Sequence, residues 1–287
     1  MELFLQTMAN SAVASTMYAV IAVGLALMFG VMRMANFAHG EFFMVGGYAV
    51  WLLYVRMHWP YWVALVMGMV VVTVIGLAVE RGIFKPLRGQ VVSGYIATAG
   101  MMFILQVATG RIWGVGLSKP VPPPFEGALV IGSVAVGWQR VILIPIVFGS
   151  IVALRFFLHR VKLGRGLRAC AQDPEAAALQ GISTDKMSAL AMGIGAAFAG
   201  LAGGLFAPLH VVEPYMGHPV ILMAFIVIIV GGMGSIEGAV LASILFGFIY
   251  TITTTLIGGV AAMIICVVSM LIVLAIRPQG LMGREKV

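Results

Sequence analysis

Two short polar stretches interrupt an otherwise apolar chain, and they hold the residues best suited to chemistry. The first, RMANFAHGEFF at residues 33–43, contains Asn36, His39, Gly40 and Glu41. The second, GGMGSIEG at residues 231–238, contains Gly231, Gly232, Gly234, Ser235 and Glu237. Ionisable side chains within membrane segments commonly mark proton relays or solute paths. Paired interruptions in the two halves of a chain are typical of discontinuous helices that line such a path.

Structural roles are the alternatives for the same side chains. Glu41 and Glu237 could be loop residues at the cytoplasmic membrane surface, since a buried charge is costly. His39 could hydrogen-bond a neighbouring backbone group, and Asn36 could stabilise a turn. We therefore predict pathway or gate elements at a lumen, or at its cytoplasmic end, and define no substrate-binding site.

The composition places these stretches in a membrane protein. Of the 287 residues, 62% are hydrophobic and only 9% are charged. A bilayer core of about 30 Å requires about 20 apolar residues per helix. The sequence predicts a single all-α polytopic domain over residues 1–287, with eight or nine transmembrane helices, some of them discontinuous. The predicted spans are 8–31, 42–55, 60–80, 92–112, 140–159, 187–207, 219–233, 238–256 and 260–276.

The basic residues predict the orientation of these helices. Eleven of the seventeen Lys and Arg residues fall within segments 81–88, 155–168 and 277–286. Short cytoplasmic loops carry an excess of positive charge, so these segments and the C-terminus are expected in the cytoplasm. The N-terminus is then outside, if the short second span crosses. The sequence has no folded basic domain, which argues against nucleic-acid binding.

Two further patterns bear on packing and metals. Ala196, Gly200 and Gly204 lie four apart on one helical face, which predicts close helix contact inside the bundle. His210 and His218 form a poor metal set, so no metal site is expected. Cys170 and Cys266 lie at different levels of the predicted topology and are expected not to pair.

Residues 163–186 form the most informative cytoplasmic loop. Asp173 is suited to cap a helix that begins with Pro174 and Glu175, and Gly181 is suited to end it. With Ala176 and Ala177 as helix formers, the segment predicts about two turns of helix, some 10 Å long. So short a helix is unstable alone in water, so it must either rest on its own bundle or be held by a partner.

This loop also resembles a known signature. The run Glu175, Ala176, Ala177, three residues and Gly181 is similar to the EAA signature of permease subunits of bacterial ATP-binding-cassette (ABC) importers, although the later isoleucine and leucine-proline elements are absent. Together with GLALMFGVMRMANFAHGEFFMVGGY (24–48), GRGLRACAQDPEAAALQGI (164–182) and IVGGMGSIEGAVLAS (229–243), it makes almost the whole chain resemble the smaller permease of branched-chain, or hydrophobic, amino acid importers.

The resemblance implies the ABC importer permease fold and a set of partners. It implies two ATPase subunits that bind ATP and Mg, a second and larger permease, a periplasmic substrate-binding protein, and a multi-pass location in the bacterial inner membrane. Arg165, Arg168 and residues 173–181 would belong to the segment that couples to the ATPase. No cofactor is expected in this chain, which lacks a GxxxxGK[ST] phosphate-binding loop.

Other functions remain as alternatives. The same importer architecture could carry urea, short amides, small aromatic acids or D-amino acids, and a homodimer could replace the heterodimer. A proton-coupled transporter would use His39, Glu41 and Glu237. A membrane-embedded enzyme is disfavoured, because the sequence has no HExxH and no GxSxG motif.

Overall fold

The computed structural model describes residues 2–131 and 134–283. Eleven α-helices account for most of this part of the chain: α1 Glu2–Met32, α2 His39–Val50, α3 Tyr61–Val79, α4 Val91–Trp113, α5 Trp138–Arg160, α6 Lys162–Gln172, α7 Pro174–Leu179, α8 Thr184–Phe206, α9 Gly217–Gly231, α10 Ile236–Leu256 and α11 Gly259–Ile276. Single π-helical segments, Trp51–Arg56 and Glu80–Phe84, prolong α2 and α3. The strands β1 Ala128–Ile131 and β2 Val134–Gly137 form an antiparallel hairpin.

The predicted all-α polytopic fold is confirmed. In the described part of the chain, seven helices are long and apolar enough to cross a membrane, namely α1, α3 with its π-helical extension, α4, α5, α8, α10 and α11. Each of the nine predicted spans corresponds to one helix. The two remaining spans are α2 and α9, of 12 and 15 residues. At about 1.5 Å per residue, neither crosses a core of about 30 Å as a continuous α-helix.

Contacts between helix ends agree with the orientation predicted from the basic residues. At one end, Arg88 after α3 bonds Asp185 at the start of α8. The C-terminal segment returns to the same end, where the Met282 amide donates to the Gly231 carbonyl at 3.0 Å. Segment 81–88 and the described part of segment 277–286 therefore lie at the end of the bundle predicted to be cytoplasmic, while Arg284 and Lys286 lie outside the described residues.

The opposite end is held together by polar contacts. The Tyr61 hydroxyl at the start of α3 donates to the Gly204 carbonyl at 3.1 Å. Gln139 at the start of α5 donates to the Leu205 carbonyl at 3.0 Å. These ends of α3, α5 and α8 therefore lie together at the end predicted to be external, and the two ends of the bundle are named below according to that prediction.

Helix α8 is the most deeply buried of the spanning helices, while α4 and α11 are the most exposed. The small residues on one face of α8 allow its neighbours to approach closely. A β-carbon at Gly76 of α3 would lie 2.6 Å from the Ala196 side chain, and one at Gly46 of α2 would lie 2.6 Å from the Gly200 carbonyl oxygen. Gly204 lies against Leu65. The small residues Ala196, Gly200 and Gly204 therefore allow α8 to pack closely between α2 and α3.

The cytoplasmic loop contains more helix than the sequence analysis anticipated. Only one short helix was predicted in residues 163–186, whereas α6 precedes it over Lys162–Gln172. Gly164, Leu167 and Cys170 are buried at a spacing of three, which is the apolar face of a surface helix. Glycines and arginines lie between the apolar residues of α6, so the apolar periodicity of this helix was not recognised from the sequence. Cys170 and Cys266 are both unpaired, as expected, and burial raises the pKa of the Cys170 thiol.

Candidate functional site

The first polar stretch carries the chain back into the membrane. Helix α1 ends at Met32, and the Arg33 side chain donates to the Gln172 carbonyl of α6 at 3.1 Å, which fixes Arg33 at the cytoplasmic end. Residues 34–38 are non-helical, and the next residue, His39, has its Nε2 atom 3.2 Å from the Ile21 carbonyl oxygen. Ile21 lies about 16 Å along α1 from its cytoplasmic end. Helix α2 therefore begins near the middle of the membrane.

A second half-length helix begins at the same point from the other side. Residues 207–216 return into the bundle from the external end of α8, and α9 starts at Gly217. A β-carbon at Gly40 would lie 2.5 Å from the Gly217 carbonyl oxygen, and one at Gly217 would lie 2.5 Å from the Gly40 carbonyl oxygen. We call this contact between the starts of α2 and α9 the helix junction. Only glycine fits on either side of it.

Glu41 lies at the helix junction. Its side chain is fully buried in the first turn of α2, and its Oε1 atom accepts a hydrogen bond of 2.8 Å from Gln106 Nε2 of α4. A β-carbon at Gly217 would lie 3.0 Å from the same Oε1 atom, so the carboxyl group also faces the start of α9. The positive ends of two helix dipoles are thus directed at one acidic side chain.

The placement of Glu41 corrects the surface alternative. That alternative treated Glu41 as a loop residue at the cytoplasmic membrane surface, because a buried charge is costly. Non-helical chain covers up to about 3.3 Å per residue, so residues 34–38 reach the middle of the membrane without a helix. The side chain of Glu41 is therefore buried inside the bundle.

His39 and Asn36 make the structural contacts that the alternatives described. Asn36 Oδ1 accepts from the Ala38 amide at 3.1 Å and stabilises the turn before α2. His39 contacts the α1 backbone. Among the described residues, however, Asn36 Nδ2, His39 Nδ1 and Glu41 Oε2 are buried without a hydrogen-bond partner. Buried polar atoms are normally satisfied, so these three atoms mark the junction as a place where water or another polar group fits.

The second polar stretch is a tight turn at the cytoplasmic end, between α9 and α10. Gly231 ends α9, and Gly232 and Gly234 have φ angles of 105° and 87°, which favour glycine. Ser235 caps α10 by accepting from the Gly238 amide at 3.0 Å. The interruption that mirrors residues 34–38 in the second half of the chain is therefore residues 207–216.

Glu237 follows this turn on the cytoplasmic surface. Its carboxylate accepts from Arg155 of α5 at 2.9 Å, and both side chains are about half exposed or more. The surface alternative therefore holds for Glu237.

Helix α7 has the cap that its sequence predicts. Asp173 Oδ1 accepts from the amides of Glu175 and Ala176 at 2.9 and 3.0 Å, and Pro174 occupies the first turn. Gly181 follows the helix with a φ of 78°. Only Ala177 is buried among the six helical residues, whereas the Leu179 side chain is 87% exposed. Helix α7 thus buries only Ala177 against the rest of its own chain, and most of its remaining surface is exposed.

Two arginines of α6 have different environments. Arg168 Nε donates to the Leu158 carbonyl of α5 at 3.0 Å and ties α6 to the end of that helix. Arg165 is exposed. Helix α6 is therefore attached to α5 by Arg168 and, through Gln172, to Arg33 after α1.

Several residues of these sites were not predicted from the sequence. Gln106 and His218, whose Nε2 and Nδ1 atoms lie 3.1 Å apart, complete the helix junction. At the cytoplasmic end, Arg88 bonds both Glu80 and Asp185. Glu80 immediately precedes the basic segment 81–88, so an acidic residue beside basic ones was the available signal for an ion pair.

A cavity of about 490 Å³ opens on the external side of the helix junction. This external cavity is lined by residues of α1, α2, α5, α8, α9, α10 and α11 and of the segment 207–216. Arg140, His210 and Glu213 lie in its wall, while Phe43 and Val220 belong to the half-helices of the junction. The His210 side chain lines the cavity close to Arg140. The described residues contain no group of three or more His, Cys, Asp and Glu side chains placed to hold a metal ion.

Comparison with known proteins identifies a family and relatives that match most of the chain. Residues 7–276 match the family described as branched-chain amino acid transport system, permease component. The chain is 30% identical to the high-affinity branched-chain amino acid transport system permease protein LivH of Escherichia coli strain K12, over 99% of this chain and 97% of LivH. It is 28% identical to the permease protein LivM of the same strain, over 79% of this chain and 59% of LivM.

One solved structure shares the fold. The chain matches PsaBC from Streptococcus pneumoniae, solved in complex with Fab, with a TM-score of 0.53 and 11% identity, over 95% of this chain and 92% of that chain. The family match and the LivH identity each extend over nearly the full length. The chain belongs to the family of branched-chain amino acid transport system permease components.

Proposed function

We propose that this chain is a permease subunit of an ATP-driven importer that moves branched-chain amino acids across the bacterial inner membrane. The proposed complex contains a second permease, two ATPase subunits that bind ATP and Mg, and a periplasmic substrate-binding protein. The names of LivH and LivM support the pairing, because both are permease proteins of one branched-chain amino acid transport system in one organism. A heterodimer with a larger sister permease follows from that pairing.

The observation that carries the proposal is the exposure of α7. A helix of six residues needs tertiary contact to be stable, yet only Ala177 is buried. A cleft on an ATPase subunit would cover the exposed side of the helix, including Glu175, Ala176 and Leu179. The chain has no phosphate-binding loop of its own, so the energy for transport must enter through such a contact.

The contacts of α6 give α7 a route to the membrane helices. Helix α7 follows α6, which is attached to α5 by Arg168 and contacts Arg33 after α1 by the Gln172 carbonyl. On its other side, α7 leads into α8, which packs against α2 and α3. Closure of an ATPase dimer around α7 would therefore move α1, α5 and α8 relative to one another. Rigid-body movements of this kind open a path alternately to each side.

The helix junction is the proposed gate of this path. Two half-helices that start at one point can separate without breaking any hydrogen bond inside either helix. Asn36, His39, Gly40 and Glu41 lie on one side of the junction, and the turn with Gly231, Gly232, Gly234, Ser235 and Glu237 lies at the cytoplasmic end of α9. In this arrangement Glu237 and Arg155 belong to the cytoplasmic exit.

Reconstitution tests this function. The complete complex is placed in proteoliposomes, with ATP inside and the loaded binding protein outside, and uptake of radiolabelled leucine is measured. We expect uptake only when both ATP and the ATPase subunits are present, with no loss on addition of a protonophore. Uptake by this chain alone without nucleotide, or its abolition by the protonophore at constant ATP, would overturn the proposal.

A further inference from the structure

We propose that the external cavity is a binding subsite for an amino acid zwitterion, with Arg140 for the carboxylate, Glu213 for the ammonium group and the apolar wall for an aliphatic side chain. This inference rests on the proposed function and names the place where the solute lies after it leaves the binding protein.

The position of the cavity fits a solute on its way inward. Asn10 of α1 and Arg140 of α5 lie near the external ends of their helices, whereas Tyr18 lies two turns deeper along α1. Phe43 of α2 lines the inner part three residues from the helix junction towards the external side, and Val220 of α9 lines it three residues from the junction towards the cytoplasmic end. The cavity therefore leads from the external surface to the closed junction, and its volume of about 490 Å³ lies in the range of small-molecule sites.

The charges in the wall are not neutralised by each other. Arg140 Nη1 donates to Asn10 Oδ1 at 2.7 Å, a neutral partner that orients the guanidinium group and leaves other donors free. In residues 2–131 and 134–283, no carboxylate lies within 4.0 Å of Arg140 and no cationic group lies within that distance of Glu213. A partly buried arginine without a carboxylate partner is suited to a bidentate contact with a ligand carboxylate.

The apolar wall suits a branched aliphatic side chain. Met17, Met216, Met223 and Met263 contribute to it, together with Val13. Methionine side chains are flexible and polarizable, so one wall can fit leucine, isoleucine and valine. The charged groups lie towards the external end and several of the apolar ones lie deeper, so the amino acid would enter with its side chain towards the junction.

The chemistry distinguishes this ligand from a lipid tail. A lipid acyl chain would occupy the methionine wall but would leave both charges without a partner inside the cavity. A zwitterion uses both charges and the wall together. The opposite charges of Arg140 and Glu213 therefore favour an amino acid over a lipid.

Cysteine protection tests occupancy without relying on transport. In Ala14→Cys, the new thiol lies in the cavity wall, while native Cys170 and Cys266 are buried. The purified complex in nanodiscs is labelled with a soluble maleimide in the presence of leucine, leucinamide or 4-methylpentanoate. We expect leucine to slow labelling and the two analogues, each lacking one charge, to have at least about tenfold weaker effect. Labelling that no concentration of leucine slows would overturn the subsite, as would slow labelling caused by lipid alone.

Charge-neutral variants test the two named groups. Arg140→Gln and Glu213→Gln should each weaken leucine protection about tenfold or more, while the complex still co-purifies intact. Arg111→Gln and Glu126→Gln remove the same charges from exposed positions outside the cavity lining and should leave protection within about twofold. Equal protection in all four variants would overturn the assignment.

The two proposals fail in different ways. If the wild-type complex imports leucine with ATP but Arg140→Gln and Glu213→Gln import it at the wild-type rate, the subsite is wrong and the importer function stands. If the wild-type complex imports no branched-chain amino acid and leucine gives no protection, both are wrong.

Discussion

Gly40 and Gly217 face each other so closely that a β-carbon on either one would lie 2.5 Å from the carbonyl oxygen of the other. Gly40, the second residue of α2, and Gly217, the first residue of α9, thus form a backbone-to-backbone contact near the middle of the membrane. A larger residue on either side would force α2 and α9 apart. The contact explains why two helices of 12 and 15 residues can replace two full spans in this bundle.

Gly40→Ala and Gly217→Ala should each destabilise the protein. The added methyl group meets backbone, which cannot move aside as a flexible side chain can, and overpacking of this kind typically costs about 1–3 kcal/mol. The measurement is the thermal unfolding midpoint of the purified complex. Gly100→Ala is the matched control, because a β-carbon there meets no atom within 4 Å. Equal midpoints for Gly40→Ala and Gly100→Ala would contradict the helix junction.

Gln106→Leu should destabilise the protein through Glu41. The substitution removes the 2.8 Å hydrogen bond to Glu41 Oε1 and leaves a fully buried carboxyl group with neither oxygen bonded to a described residue. An unsatisfied buried polar group costs about 1–3 kcal/mol, and more when it is charged. The cost should be smaller in a Glu41→Leu background, where the carboxyl group is absent.

A double-mutant cycle on thermal unfolding measures that coupling. Gln90→Leu provides the control, because Gln90 is an exposed glutamine at the start of the same helix, α4. Identical effects of Gln106→Leu with and without Glu41 would show that the two side chains do not interact.

The sequence was sufficient for features determined by local chemistry. Apolar runs predicted eight or nine spans, and the Asp173 cap with Gly181 predicted α7, because both depend on neighbours in the chain. The depth of Glu41 could not be read in this way. It depends on whether residues 34–38 are helical, and a short polar stretch between apolar runs is equally compatible with a surface loop and a re-entrant segment.

Tertiary contacts explain the other differences between sequence and structure. Gln106 and His218 join the helix junction from α4 and α9, and nothing near either residue in the sequence marks it as a neighbour of Glu41. Likewise, the prolines at 208 and 214 mark a loop between α8 and α9. They did not indicate that this loop returns to the middle of the membrane.

Arg88→Gln should destabilise the cytoplasmic end more than Arg155→Gln does. Arg88 bonds Glu80, whose side chain is only 2% exposed, so its loss leaves a buried carboxylate unpaired at a cost of about 1–3 kcal/mol. Arg155 and Glu237 form a pair whose side chains are 61% and 49% exposed, and such a pair contributes less than about 1 kcal/mol. The thermal unfolding midpoints of the two variants compare the same Arg-to-Gln change beside a buried carboxylate and beside an exposed one. The reverse order of stability would show that Glu80 does not depend on Arg88.

Leu179→Glu should leave the fold intact and abolish coupling to the ATPase. The side chain is 87% exposed, so a charge there meets water in the isolated subunit and the unfolding midpoint should be unchanged. In the complex, the same charge would be buried in the cleft that receives α7, where an unpaired carboxylate is costly. We expect the ATPase subunits to be lost on purification and leucine uptake to fall at least about tenfold, since each 1.4 kcal/mol of lost binding is a factor of ten.

Ile257→Glu makes the same kind of change at an exposed position between α10 and α11 on the external side, and it should retain the ATPase. Retention of the ATPase by Leu179→Glu would mean that α7 is not held by that partner, and the search for the coupling contact would move to the exposed face of α6 around Arg165.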